Sequence, residues 1–195
     1  MSEIKVNKIS PATSTDITLG DSGDTFTVPS GATIVNSGTA TGFGGGVAPY
    51  FFATKTSSQT SISQNTWTKV TWDVETFDSD SAFDLANDKF VVPSGKAGKY
   101  VFTFSVGFSS WGGGNATHDQ YSVRLYKNGA AENQVKFHVA PAINTTGATG
   151  TFMADLSVAD YIELYAYSEQ GSGTGSFDGD ATNPRTHWGG FYIGT

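Results

Sequence analysis

The chain contains no cysteine. Disulfide staples, thiolate nucleophiles and cysteine-ligated zinc are therefore excluded. Charge is scarce as well: charged residues make up 15%, with 11 Lys and Arg against 18 Asp and Glu. The resulting net charge of -7 leaves no electrostatic footprint for nucleic acid or an anionic membrane. No run approaches the roughly 20 apolar residues that a membrane helix needs. The opening MSEIKVNKIS lacks the apolar stretch of a secretory signal. The expectation is a protein made in the cytoplasm that neither inserts in a membrane nor binds nucleic acid. Helical patterning is missing too, since no segment repeats apolar residues at a 3.6-residue period.

Catalytic patterns are equally absent. There is no Gly-x-Ser-x-Gly elbow and no His-Glu-x-x-His, and GFGGG and GSGTG are not followed by Lys-Ser/Thr. His118, His138 and His187 are scattered along the chain. No enzymatic activity is expected.

What the 195 residues do contain is 24 glycines and 13% aromatics, arranged as short strands between turns. From residue 49 on, candidate strands follow in series: 49–53, 66–74, 90–93, 98–108, 121–129, 134–140, 151–158, 160–168 and 187–194. Asn128-Gly129 is a strong hairpin signal, because both residues tolerate positive φ. Residues 75–89 read as an acidic loop and 171–186 as a long loop with no core signal. The count and spacing of strands predict an all-β, two-sheet sandwich over 49–195.

Residues 1–48 have a different texture. Short apolar groups, Ile4/Val6, Ile17/Leu19, Phe26/Val28 and Ile34, are separated by turn clusters such as GDSGD and PSGAT. Each group would make one short strand. So few apolar residues cannot bury a core alone, so the segment must borrow burial from other chains. A three-chain stalk or an anchor into a larger particle fits that need; a disordered tail is the bland alternative. Gly42–Gly46 then acts as a linker.

The most informative stretch runs from Trp72 to Phe104. Five residues separate Trp72 from Asp78, four separate Asp78 from Phe83, and six separate Phe83 from Phe90. Gly98, Tyr100, Phe102 and Phe104 close it, alternating with Lys99, Val101 and Thr103. That period of two predicts a strand with one strongly aromatic face, buried either in the monomer or against another subunit.

This ordered set resembles the signature of the C1q/TNF family of jelly-roll domains. The departures are Trp72 where phenylalanine is usual and a gap from Phe90 to Gly98 two residues longer than usual. Leu156–Ile162, with Ala159 where glycine is usual, and the closing Trp188–Ile193 resemble further family motifs. The resemblance implies a jelly-roll homotrimer. Its candidate core or trimer-interface residues are Tyr100, Phe102, Phe104, Phe191 and Tyr192. Tyr165 and Tyr167, opposite Ile162, Leu164 and Ala166, are candidates for the interface or for a sugar platform, the interface being favoured.

The phrase ITLGDSGDTFTVPSGATI resembles N-terminal segments of virion structural proteins from tailed bacteriophages, marine and cyanobacterial phages in particular. That likeness implies location in a virion and contact with other virion proteins through residues 1–48. The expected role is a trimeric tail fibre or fibre tip that meets a host surface polysaccharide or protein. The alternative is a capsid decoration (cement) protein.

Two sets of side chains are candidates for ligand contact. Trp111, in the glycine-rich loop that also holds His118, could meet a sugar ring or a partner, or fold back over the sandwich. Asp78 and Asp80, and Asp178 and Asp180, offer hard oxygen ligands of the kind calcium takes, although the spacing of an EF-hand is missing. Asp78 also fits as a turn-capping residue. No other cofactor is expected.

Overall fold

The aromatic alternation of 98–109 is a strand, and it lies inside its sheet. In the computed structural model, which describes residues 9–11, 16–18, 20–35, 37, 49–109, 119–139, 145–169 and 174–194, thirteen strands are described. They are β1 (Tyr50–Thr54), β2 (Gln59–Ser63), β3 (Thr68–Lys69), β4 (Val74–Asp78), β5 (Phe83–Asp84), β6 (Lys89–Val91), β7 (Gly98–Ser109), β8 (Asp119–Lys127), β9 (Ala130–Val139), β10 (Thr145–Leu156), β11 (Tyr161–Glu169), β12 (Thr174–Phe177) and β13 (His187–Gly194). A 3-10 turn at Leu85–Asn87 joins β5 to β6. The first sheet runs β2-β12-β7-β13-β1-β4, and β10 pairs with the other side of β7. The second runs β5-β6-β11-β8-β9, with β3 also beside β11. Every pairing is antiparallel.

The period-two pattern decides which side chains go in. Along β7, Tyr100, Phe102, Phe104, Val106 and Phe108 are all buried. They meet the inward residues of the second sheet, Val123 and Leu125 on β8 and Ile162, Leu164 and Ala166 on β11. The spaced aromatics of the 72–104 stretch converge on this core. Phe51 stacks on Phe83 at 4.9 Å and on Phe90 at 5.2 Å. Trp188 stands edge-on to Phe51 at 4.9 Å and lies 5.8 Å from Trp72. Phe90 meets Phe102 edge-on at 5.5 Å. Such offset and edge-to-face pairs add about 0.5–1.5 kcal/mol each beyond area burial. Tyr100 donates its hydroxyl to the carbonyl of Lys96 at 2.6 Å. Burial first, then Tyr192 and Asp80, pushes its phenol up to about 12, so the donor stays protonated.

Turn chemistry is as the residues suggest. Asn128 and Gly129 have φ of 51° and 79°, closing the β8–β9 hairpin. Asp160 ties the β10–β11 corner, accepting from Asn128 Nδ2 at 2.7 Å and from Ser157 N–H at 2.8 Å. Ala159 sits there at φ 68°, in left-handed space that a Cβ resists.

Three expectations are corrected. The loop 171–186 contains β12, with Phe177 fully buried. Its other buried strand positions, Gly175 and Ser176, carry no hydrophobic signal; Ser176 instead lies 3.0 Å from Ser109, hydroxyl to hydroxyl. The acidic loop 75–89 holds β4, β5 and the 3-10 turn. The strand expected over 66–74 breaks after Lys69. Its donors scatter: Val70 N–H to the Leu164 carbonyl, Thr71 N–H to Gln59 Oε1, Trp72 N–H to Asp88 Oδ1, Asp73 N–H to the Thr54 carbonyl. Val70 and Trp72 are still buried, but Val74 is exposed. The strand β2 was not anticipated, because Ile62 is its one buried residue.

The chain divides into two units, Met1–Gly44 and Gly45–Thr195. Among the described residues of the first there is no strand at Ile17, Phe26, Val28 or Ile34, where short strands were expected; Ile4, Val6 and Leu19 lie outside the described residues. Two turns do form. Asp24 N–H bonds the Asp21 carbonyl at 3.0 Å and Ala32 N–H the Pro29 carbonyl at 3.0 Å, with Gly23 and Gly31 at positive φ. Ile17, Phe26, Val28, Ile34 and Val35 are exposed. A β ladder needs a second strand, and these apolar groups are too short and widely spaced to supply one within the segment.

Two substitutions test the packing in opposite directions. A Cβ on Gly190 would lie 2.6 Å from Phe102 Cδ1 and 2.9 Å from Phe51 Cε1. Gly190→Ala is expected to destabilise by about 1–3 kcal/mol through overpacking. Ala159→Gly relieves the left-handed strain and is expected to stabilise by about 1 kcal/mol. Urea midpoints at unchanged m-value measure both.

Candidate functional site

The two outer faces of the sandwich differ in chemistry. On the first sheet, Tyr50 of β1 is opposite Phe191 of β13, Phe191 opposite Val101 of β7, and Val101 opposite Met153 of β10. Phe52 is opposite Phe77 of β4, their rings 5.6 Å apart. Exposure is high: 47% for Phe191, 49% for Phe77, 51% for Ile193 and 68% for Met153. This row is apolar and largely exposed, with Thr103, Thr151, Lys99 and Asp155 also on the face.

On the second sheet the outward residues of β11 are Tyr161, Glu163, Tyr165 and Tyr167, each half-buried. Tyr165 lies against Tyr126 of β8 at 4.1 Å. Trp67, just before β3, lies 5.2 Å from Tyr167, and the Arg124 guanidinium sits 4.2 Å over its ring. Lys69 pairs with Glu163 at 2.6 Å. Within Gly45–Thr195, the exposed phenylalanines Phe77 and Phe191 are on the outer face of the first sheet, and Tyr126, Tyr161, Tyr165 and Tyr167 on that of the second.

The candidates from the sequence therefore separate. Tyr100, Phe102 and Phe104 are in the monomer core, and Tyr192 packs partly against it, 5.2 Å from Tyr100. Phe191 is on the outer face of the first sheet, while Tyr165 and Tyr167 are on that of the second, so the set does not form one surface. Trp111 and His118 lie outside the described residues. Phe52, Phe77, Val101, Met153 and Ile193 were missed. Only strict alternation could have signalled them: the residues between the aromatic run of 100–108 must face outward.

The four candidate calcium ligands act as loop ties. Asp78 accepts from Phe83 N–H at 2.8 Å and from Asp80 N–H at 3.2 Å, the capping role expected of it. Asp80 accepts from the Ser79 hydroxyl at 2.6 Å. Asp178 accepts from the Ser109 hydroxyl and from Arg185 at 3.3 Å. Asp180 accepts from Thr182 N–H at 2.8 Å and Asn183 N–H at 3.1 Å, which lowers its pKa. Asp78 lies beside Phe51 and Asp180 beside Lys55, so the pairs are about 13 Å apart along the chain direction of β1. Among the described residues, no three His, Asp or Glu side chains gather as a metal ion would require.

The densest polar cluster surrounds Lys55, which is 2% exposed. Its ammonium donates to the Thr71 carbonyl and hydroxyl, both at 3.0 Å, and lies 3.7 Å from Asp73. Burial lowers the Lys55 pKa, and Asp73 and Asp88 oppose that shift without cancelling it. Burial would raise Asp73, but donors from Ser57 and Thr56, with Lys55, outweigh it and hold the carboxyl below its usual value. Asp88 is raised, burial outweighing its bond from Trp72 N–H. These groups satisfy the backbone where the 66–74 strand breaks.

No family model and no curated protein matches the chain. Solved structures do. Murine APRIL, in crystals at pH 8.0 and pH 8.5, superposes with TM-scores of 0.52 and 0.51 at 12% identity, covering 75% of this chain and 99% of that one. The globular domain of zebrafish complement 1qA gives a TM-score of 0.48 at 13% identity, covering 75% and 98%. At such identities the likeness is one of fold. The fold is an all-β jelly-roll sandwich of the C1q/TNF type, as the Trp72–Phe104 spacing implies.

The Asp73 cluster has a testable acid dependence. The Asp73 carboxyl titrates below the ordinary aspartate value of 3.8, so its contribution is present above that value and fades as pH falls toward the folded pKa. Asp73→Ala is expected to cost about 1–2 kcal/mol at pH 7, from the donors of Thr56 and Ser57 left without their acceptor. The difference from wild type is expected to narrow below pH 3.8. Thermal melts from roughly pH 2.5 to pH 7 read it.

Proposed function

We propose that this protein is a self-associating structural component of a phage particle, a trimer that presents jelly-roll heads at the tip of a tail fibre. The observation that carries the reading is the uncovered row Tyr50–Phe191–Val101–Met153 with Phe52, Phe77 and Ile193. Monomeric proteins seldom leave an apolar sheet face of this kind in water. An obligate interface resembles a core cut in half, and Phe, Val, Ile and Met are core residues. The threefold symmetry is the expectation the family resemblance supplies. Its seam uses the outward neighbours of the aromatic run, because the run itself is inside.

Residues 1–48 are the contact to the remainder of the particle in this reading. Their exposed apolar side chains, Phe26 at 70% among them, ask for cover from other chains. The sequence likeness of this segment to phage virion proteins supports the virion role. A capsid decoration protein is the second reading, in which the exposed apolar side chains of residues 1–48 bridge capsid subunits. The jelly roll then serves binding and assembly, not catalysis.

Light scattering of the full chain is expected to give three times 20.5 kDa. Phe191→Glu, which puts a charge in the middle of the row, is expected to shift the protein to monomer with its circular dichroism unchanged. A monomeric wild type removes the assembly reading. Densitometry of purified particles separates fibre from decoration: few copies at a tail, hundreds on a capsid.

A further inference from the structure

The outer face of the second sheet has a chemistry that self-association does not use. Its rings are Trp67, Tyr126, Tyr161, Tyr165 and Tyr167, and they are held in place. Tyr167 donates to Asn65 Oδ1 at 3.1 Å, Tyr165 lies against Tyr126, and the Arg124 guanidinium sits over the Trp67 ring while donating to Gln134 Oε1. A stacked guanidinium is pre-oriented and loses little freedom when it binds. Tyrosine and tryptophan combine an apolar body with a polar edge, so this face stays soluble when unpartnered. The phenylalanine face of the first sheet has no such edge.

The charges here are also unusual for the molecule. Lys55, Lys69, Lys89, Lys127 and Arg185 each have a carboxylate within 4 Å or less, Asp73, Glu163, Asp84, Asp160 and Asp178 respectively. Arg124 and Lys136 have none among the described residues, and they are on adjacent strands of this one face. Gln134 is paired with Arg124, and Lys136 with Ser122, which in turn is opposite Tyr167. Two cations with no carboxylate within 4 Å thus share this face with Trp67 and Tyr167 in a protein of net charge -7, while Glu169 stands beyond Tyr167 at the end of β11.

We infer that this face binds an acidic polysaccharide, one whose sugar units carry carboxylates. A uronate carboxylate meets the free N–H groups of Arg124 and the ammonium of Lys136, and the sugar ring lies against Trp67 and Tyr167. Arg recognises a carboxylate through a planar fork, and Gln134 and the Tyr167 hydroxyl offer hydrogen bonds to ring hydroxyls. Charge complementarity selects the acidic polymer over a neutral one: among the described residues, Arg124 and Lys136 are cations without an ion pair that share a face with Trp67 and Tyr167. The inference extends the host-surface role proposed above, and it commits that role to one ligand chemistry and one face.

The test uses the full chain in native gels cast with alginate, polygalacturonate or hyaluronan, with uncharged dextran as control. Retardation by at least one of the three polyuronates and not by dextran is expected. Arg124→Gln with Lys136→Gln is expected to weaken it at least tenfold, and Trp67→Ala to do likewise. Thr149→Ala, at an exposed position of β10 on the other sheet and outside the apolar row, is expected to leave it unchanged. The double Gln variant changes only polar side chains of the outer face, so near-ultraviolet dichroism equal to wild type keeps the result readable if Trp67→Ala misfolds. No retardation by any polyuronate, equal retardation by dextran, or retardation indifferent to the double variant overturns the inference. So does cross-linking of this face to a virion protein in intact particles. Light scattering on the same samples separates the two proposals. A trimer that ignores polyuronates overturns this inference alone, and a monomer that binds them overturns only the assembly.

Discussion

Everything in the head unit depends on the pleat of β7. The strand lies between β10 on one side and β13 with β12 on the other, so all its backbone groups can be satisfied within one sheet. Its side chains must then alternate strictly between the core and the outer face. The inward set, from Tyr100 to Phe108, is almost entirely aromatic. Rings of that size fill the space between the sheets only if neighbours give way, which is why Gly150 faces the Phe104 ring and Gly190 the Phe102 and Phe51 rings. Burying each ring contributes on the order of 1.5–3 kcal/mol. The same pleat fixes what is outside: Val101 is held in the middle of an apolar row because Tyr100 and Phe102 are held in.

A second constraint operates where the ladder fails. Between Lys69 and Val74 the chain crosses from the second sheet to the first, β3 pairing with β11 and β4 with β1. Such a crossing cannot be made in one continuous ladder. The freed donors go to side chains, Gln59 and Asp88, and the buried Lys55 fills the carbonyl side through Thr71. A buried ammonium with an imperfect partner costs stability by itself. Here it satisfies a corner that would otherwise hold unpaired backbone, a larger penalty.

The contrast explains what the sequence could disclose. Alternation and turn residues are local, so β7, β11, β13 and the Asn128-Gly129 hairpin were legible. The spacing of Trp72, Phe83, Phe90 and Tyr100 was legible too, because the jelly roll brings each to one core. What failed had no local signature. Strand β12 buries Gly175 and Ser176 through a hydroxyl bond to Ser109, and β2 buries one isoleucine. The break at 70–73 is invisible because Val70 and Trp72 stay buried even though the strand has ended. The site was less legible than the fold. Tyr165 and Phe191 look equivalent as aromatics in alternating strands, and only the pairing of β11 with β8 and of β13 with β7 sends them to opposite faces.

That separation gives the molecule a direction. A face of Phe, Val, Ile and Met gains from any burial, and copies of the same chain are the partner always present at matching concentration. A face of Tyr, Trp, Arg and Lys gains little from burial alone and asks for a ligand with matching hydrogen bonds and charge. If both faces were phenylalanine-rich, association would have no preferred end and would run on as open assembly. In the proposed assembly, packing through the first sheet leaves the phenols of the second outward. One sheet would then serve assembly and the other recognition, through the strict two-residue alternation that β7 and β11 share.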